Sequence, residues 1–208
     1  LTGAHYHVAH VSTRDAVNVI REAKKSGIKI TCDTAPPYFS LNESKLLTYN
    51  TAFKLSPPLR SEDDRLAIIE GIQDGTIDAI ASDHRARSKD TKAQPFSAAS
   101  VGASGIETLF SITLDLVHKK IIDINKAISF LTINPAKIFG IESPSLEEEK
   151  VADFIVFDEN ESHTIKQENL KTSPTPFDGN KVHGKILATY INGEVAFMNQ
   201  IFKNKIIQ

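Results

Sequence analysis

The chain reads as an α/β protein whose strands and helices alternate, closed by a short β segment. Three observations predict this. Apolar runs of strand length, such as Ile77–Ser82, stop abruptly at polar residues, as buried parallel strands do. Between such runs lie stretches with helical spacing and capping signals, and that alternation implies a parallel sheet. Beyond Gly140 the spacing changes to that of strands. Four βα units make half of an eight-stranded α/β barrel, in which reactive groups sit at the C-terminal strand ends.

The elements follow in order. Tyr6–Val11 reads as a strand, Ser12-Thr13-Arg14-Asp15 has the spacing of a capping box, and Ala16, Val17, Val19, Ile20 and Ala23 give the next helix its apolar stripe before Gly27. Ile28–Asp33 is a second strand, followed by the Pro36-Pro37 turn and a short helical stretch over Glu43–Tyr49. Phe53–Leu55 reads as a third short strand, broken at Ser56-Pro57-Pro58 because the residue before proline avoids the helical region. Ser61–Asp64 is another capping box, and Leu66, Ile68, Ile69 and Ile72 line the helix that Gly75 stops. Ile77–Ser82 is the fourth strand.

Arg85–Ser104 shows no periodicity and reads as a lid or binding loop. A helix from Ile106 to Val117, another capped by Asp123 through Leu131, and a last turn from Asn134-Pro135 to Gly140 complete the α/β body, residues 1–142. Residues 143–208 are expected to form a β appendage. In it Ser143–Lys150 is a polar connector, Phe154–Phe157 is a strand, and Lys185–Phe197 is a hairpin folded at Asn192-Gly193.

A chain of 208 residues with 40% hydrophobic content and a formal charge of -2 buries a real core and lacks the basic face that a nucleic-acid binder needs. The single cysteine, Cys32, leaves no internal disulfide, and no apolar run reaches a membrane-spanning ~20 residues. A cytoplasmic protein with no nucleic-acid or membrane partner is expected. The start at Leu1 without an initiator methionine suggests a fragment.

If the strands are parallel neighbours, their tips bring together His10, the Pro36-Pro37 turn, Ser56 and Asp83. Asp83 is either a turn residue of the following loop or the first candidate for chemistry. An imidazole and a carboxylate are zinc ligands, and a carboxylate beside metal-bound water is placed to take its proton, although catalytic zinc ordinarily has three protein donors. His5 and His7 read as structural, His7 facing away from His10, and His84 as a supporting group. His118, His163 and His183 read as surface residues, and Cys32 as a small buried hydrophobe. Arg60 is placed to bind an anion or to pair with Glu62 or Asp63.

The ordered motifs His10-Val11-Ser12-Thr13, Asp33-Thr34-Ala35-Pro36-Pro37-Tyr38-Phe39, Lys54-Leu55-Ser56-Pro57-Pro58-Leu59-Arg60, Ala81-Ser82-Asp83-His84, Gly102-Ala103-Ser104-Gly105-Ile106-Glu107-Thr108 and Asn134-Pro135-Ala136-Lys137-Ile138-Phe139-Gly140 resemble those of dihydroorotases, cyclic amide hydrolases of the amidohydrolase superfamily. Ala152–Asp158 and Thr175–Gly179 resemble the closing β segment of that family. The resemblance implies strands five to eight of a (β/α)8 barrel with a two-zinc centre, whose His-x-His and carbamylated lysine would precede Leu1. It implies His10 as metal ligand and Asp83 as ligand and proton shuttle.

Three positions depart from the family pattern. Pro37 stands where the resemblance implies a histidine ligand, Ser56 where an asparagine contacts the pyrimidine ring, and Arg87 where a substrate-binding histidine is implied. Proline offers no side-chain donor, and arginine is larger and always charged. Two readings result: a non-catalytic dihydroorotase-like partner of aspartate carbamoyltransferase, itself oligomeric, or an active zinc hydrolase of dihydroorotate or a related small cyclic amide.

Overall fold

The computed structural model describes residues 3–143, 145–172, 174–200 and 202–203. Three parallel strands, β1 (Tyr6–Val8), β2 (Ile30–Thr34) and β3 (Ala79–Ile80), lie side by side in that order. Tyr6 pairs with Ile30 and Asp33 with Ala79, so all three chains leave the sheet on one side. Cys32 and Thr34 of β2 are fully covered, as expected of a strand flanked by two others and packed on both faces.

The connecting helices are set by their caps. In α1 (Arg14–Lys25) the N-cap is Thr13, whose hydroxyl accepts from the Ala16 amide; the Ser12-x-x-Asp15 box expected from the sequence is off by one residue. Asp15 in its first turn and Lys24 and Lys25 in its last suit the helix dipole. In α3 (Glu62–Asp74) Ser61 accepts from the Asp64 amide, and Gly75 at φ 82° ends the helix.

The third strand expected at Phe53–Leu55 is absent. Asn50 caps a single 3-10 turn, Thr51–Phe53, by accepting from the Ala52 amide, and this local bond diverts the segment from the sheet. Among the described residues the parallel sheet therefore has three strands rather than four. The Pro36-Pro37 turn is a five-residue helix, α2 (Pro36–Ser40), with proline at its first positions, and Glu43–Thr48 is 3-10. Residues 77–82 form a strand only at Ala79–Ile80, and the aperiodic loop carries a short helix, α4 (Lys89–Lys92).

Helices α5 (Leu109–His118), α6 (Ile124–Leu131) and α7 (Ile133–Phe139) follow, α6 capped by Asp123 as expected and α7 ended by Gly140 at φ 66°. An antiparallel sheet of β4 (Phe154–Thr164), β5 (Lys181–Ile191) and β6 (Glu194–Met198) closes the chain, its β5–β6 turn at Asn192-Gly193. Pro144 in the expected connector lies outside the described residues.

The closing sheet shares the core of the α/β body. Ile165, Phe177 and Val182 belong to the same apolar cluster as Ile68, Ile72 and Ile112. Phe110 and Phe157 meet edge to face at 4.9 Å, and the Ser111 hydroxyl donates to the Gly184 carbonyl at 3.1 Å. Glycine suits position 184, whose φ of +86° L side chains rarely adopt and where a Cβ would lie 2.2 Å from Cδ1 of Leu114. No helix among the described residues is long and apolar enough to cross a membrane.

Candidate functional site

Two strand exits place the central pair. After β1 the backbone of His10 takes φ 57°, and after β3 that of Asp83 takes φ 43°. Non-glycine residues are uncommon in this left-handed region, Asp and His less so than most, and such positions recur at functional sites. The turns aim Nε2 of His10 at Oδ1 of Asp83, 3.5 Å away. The Asp83 side chain is 7% exposed, and its Oδ1 is buried without a hydrogen-bond partner.

Asp33, at the end of β2, holds the histidine. Its Oδ1 accepts from the His10 amide at 2.7 Å and contacts Nδ1 of the ring at 3.0 Å; its Oδ2 contacts Nε2 of His7 at 2.9 Å. The His10–Asp33 hydrogen bond raises the imidazole pKa above its ordinary value, against burial and with help from Asp83. Burial alone would raise the Asp33 carboxyl, but the bonds from His10 and His7 outweigh it and hold Asp33 below the usual range. Asp33 was not among the residues singled out from the sequence. An acid inside a buried strand was the available signal, because such a group must be paired.

His7 was expected to face away from His10. The two rings instead share one carboxylate, because the strand stops at Val8 and the turn at His10 folds the chain back toward β2. Tyr38 closes the other side, its buried hydroxyl bonded to Oδ2 of Asp83 at 3.1 Å and to the Pro57 carbonyl at 3.0 Å. Burial, then the Asp83 charge, holds the Tyr38 phenol well above its ordinary pKa, so it acts as a donor and not as a base. Arg85 Nε lies 3.2 Å from Oδ1 of Asp83.

The remaining expected residues lie around this centre. Pro37 is buried in α2, offering only its carbonyl, to the Leu41 amide. Ser56 is exposed beside Pro57. Arg87 is exposed and turned back on its own loop, donating from Nε to the Val101 carbonyl at 2.8 Å. Arg60 is exposed, and the pairing expected with Glu62 or Asp63 is not made: Arg65 holds Glu62 and Arg14 holds Asp63, while the Arg60 charge acts on Asp64.

One expectation on other residues changes and one holds. His118 stacks on His183 at 4.1 Å between ring centres, and Nδ1 of both His163 and His183 is buried without a partner, so this group is not simply a solvated surface. Cys32 is the buried hydrophobe expected, and burial pushes its thiol pKa up to about 12, too high for a nucleophile.

The fit to a metal follows from these distances. Two donors on one tetrahedral zinc, at bonds of ~2.0–2.1 Å, stand ~3.3 Å apart, close to the 3.5 Å found for His10 and Asp83. A carboxylate behind the ligand histidine, as Asp33 is, orients the ring and raises its basicity. Among the described residues, however, no three His, Cys, Asp or Glu side chains converge as a metal site. These residues supply two donors and their support, and do not make a metal centre by themselves.

The model of the amidohydrolase family matches residues 2–196. The dihydroorotase of Anaplasma phagocytophilum (strain HZ) is 40% identical over 197 residues, 94% of this chain and 44% of that protein. One from Staphylococcus epidermidis (strain ATCC 12228 / FDA PCI 1200) is 41% identical over 199 residues, 94% and 47%. Among solved structures, L-hydantoinase from Arthrobacter aurescens superimposes with a TM-score of 0.88 at 26% identity, covering 94% of this chain and 45% of that one. The inactive dihydroorotase-like domain of a Chaetomium thermophilum CAD-like multifunctional protein gives 0.72 at 18% identity over 93% and 51%, a likeness of fold alone. The chain spans about half the length of the curated relatives it matches.

Proposed function

The chain belongs to the amidohydrolase family and is dihydroorotase-like; from that premise we propose that it forms part of an eight-stranded α/β barrel in which dihydroorotate hydrolysis is impaired. The observation that carries this reading is the periphery of the site. At the three positions where the resemblance implies a ligand or a substrate contact, Pro37 has no donor, Ser56 is short and exposed, and Arg87 is tied to the Val101 carbonyl. Arg85 meanwhile lies against the carboxylate oxygen that a metal would use.

The packed core argues that the fold is kept where the site is altered. On this reading the protein acts as a non-catalytic, oligomeric partner of aspartate carbamoyltransferase in pyrimidine synthesis, in the cytoplasm. Copurification of the complete polypeptide with that enzyme, lost on mixing with an unrelated carbamoyltransferase, is the expected outcome.

A second reading has its own observation. The 3.5 Å separation of His10 and Asp83, with Asp33 behind, is what a working zinc hydrolase of a different cyclic amide would retain. In it His10 and Asp83 would help hold the metal, and Asp83 would move the proton. Assaying the complete, zinc-loaded polypeptide against dihydroorotate, hydantoin and dihydropyrimidines separates the two. Turnover of none of these rings supports the first reading; turnover of a ring other than dihydroorotate supports the second.

A further inference from the structure

The left-handed turn at Asp83 needs a restraint, and the structure supplies it from the far end of the 85–104 loop. His84 pairs with Ala103 as an isolated parallel bridge, and the Arg85 amide donates to the Ala103 carbonyl at 2.9 Å. Nδ1 of His84 accepts from the amides of Gly105 and Ile106, each at 3.3 Å. With two N–H donors facing it, Nδ1 is the acceptor of this contact. His84 thus serves the backbone as an acceptor.

The approach is so close that side chains are excluded. A Cβ on Gly105 would lie 2.2 Å from the Ser82 carbonyl oxygen, and one on Gly102, at φ +110°, would lie 2.7 Å from Cβ of Arg85. Residues 102–105 thus lie directly on residues 82–85.

The same short segment is gripped on its other side by the closing part of the chain. The Ser104 amide donates to the Pro174 carbonyl at 2.7 Å, and its hydroxyl meets that of Thr172 at 2.6 Å. The Glu107 carboxylate accepts from the amides of Lys171 at 3.0 Å and Thr172 at 3.1 Å, and from the Thr172 hydroxyl at 2.9 Å. Two amides and a hydroxyl on one ionised acceptor make the stronger class of hydrogen bond.

We propose that residues 102–107 are a rivet joining the turn at Asp83 to the segment carrying Lys171, Thr172 and Pro174, with His84 and Glu107 as its positioning residues. The closing segment then sets the backbone at Asp83 without touching it. The inference rests on Asp83 belonging to the proposed site, but its readout does not depend on turnover, so active or inactive protein tests it equally.

Amide hydrogen exchange on the full chain is the experiment, comparing His84→Leu, His84→Asn and Glu107→Ala with wild type. An asparagine oxygen stands near the place of Nδ1. In His84→Leu the Arg85 amide is expected to exchange about tenfold faster, with helix α3 unchanged, and His84→Asn to restore it. Glu107→Ala, which removes the bonds to Lys171 and Thr172, is expected to accelerate the same amide. The rivet is overturned if Glu107→Ala speeds only the Lys171 and Thr172 amides, or if His84→Asn exchanges as fast as His84→Leu. Should His84→Leu fail to fold, the Glu107→Ala comparison decides alone.

Discussion

Nε2 of His10 stands 3.5 Å from Oδ1 of Asp83, and both residues reach that contact through left-handed turns at the ends of parallel strands. His and Asp tolerate this region better than most residues, and neighbours hold both in it. Asp33 holds the first through its backbone bond to His10, and Tyr38 with residues 102–105 braces the second. The strain is thus carried by neighbours on β2, α2 and the loop that returns from α4.

Replacing Asp33 with asparagine tests that support. The acceptor for the His10 amide and for two rings loses its charge, and each such bond to a charged group contributes about 1.5–3 kcal/mol. Asp33→Asn is expected to lower unfolding free energy by about 2–4 kcal/mol in urea titrations, with the m-value unchanged. A loss below 0.5 kcal/mol would mean that the His7–Asp33–His10 contacts contribute little.

Tyr38→Phe removes one hydroxyl that serves both Asp83 and the Pro57 carbonyl. Because Tyr38 is 3% exposed, water does not replace it easily, and a loss of about 1–2 kcal/mol is expected. Calorimetry should show a lowered Tm, while far-UV dichroism stays the same.

Lys92 gives a pH dependence of definite sign. It is 4% exposed, bonded to the Ser100 and Gly102 carbonyls, and its burial beside Lys54 and Arg87 brings its pKa down from 10.5 to about 8. Between those values the unfolded chain binds the extra proton, so stability from this group rises with pH there and the cost of its charge is complete below about 8. From pH 7 to 9.5 wild type should gain about 2 kcal/mol relative to Lys92→Met. Denaturation curves at the two values measure the difference, and parallel changes in both proteins would remove Lys92 as its source.

Gly184→Ala probes the docking of the closing sheet. At φ +86° and 2.2 Å from Cδ1 of Leu114, an added methyl is both strained and crowded. A cost of about 2–4 kcal/mol is expected. Adding Leu114→Ala should return part of it, because the crowding but not the backbone strain is relieved; a strictly additive double variant would contradict the contact.

Much of the architecture was legible because it is local. Ser61 and Asp123 cap their helices and Asn192-Gly193 turns its hairpin through bonds within a few residues of each other. Phe53–Leu55 was misread because its β-type composition is outweighed by the side chain of Asn50, whose short-range bond closes a 3-10 turn. The site was half legible. His10 and Asp83 could be found from where apolar runs stop, but Asp33, Tyr38 and Arg85 reach them across 23, 45 and 2 residues of chain, and the longer links depend on sheet register. The placement of His7 failed for one reason: alternation along a strand was carried past its end, into a turn that only the fold reveals.

Metal analysis of the complete polypeptide, paired with a dihydroorotate hydrolysis assay, decides whether the fold persists while dihydroorotate hydrolysis is impaired. No turnover of dihydroorotate above the buffer rate is expected, in a protein that still unfolds cooperatively. Bound zinc together with hydrolysis at an ordinary enzymatic rate, ~1–1,000 per second, would contradict it.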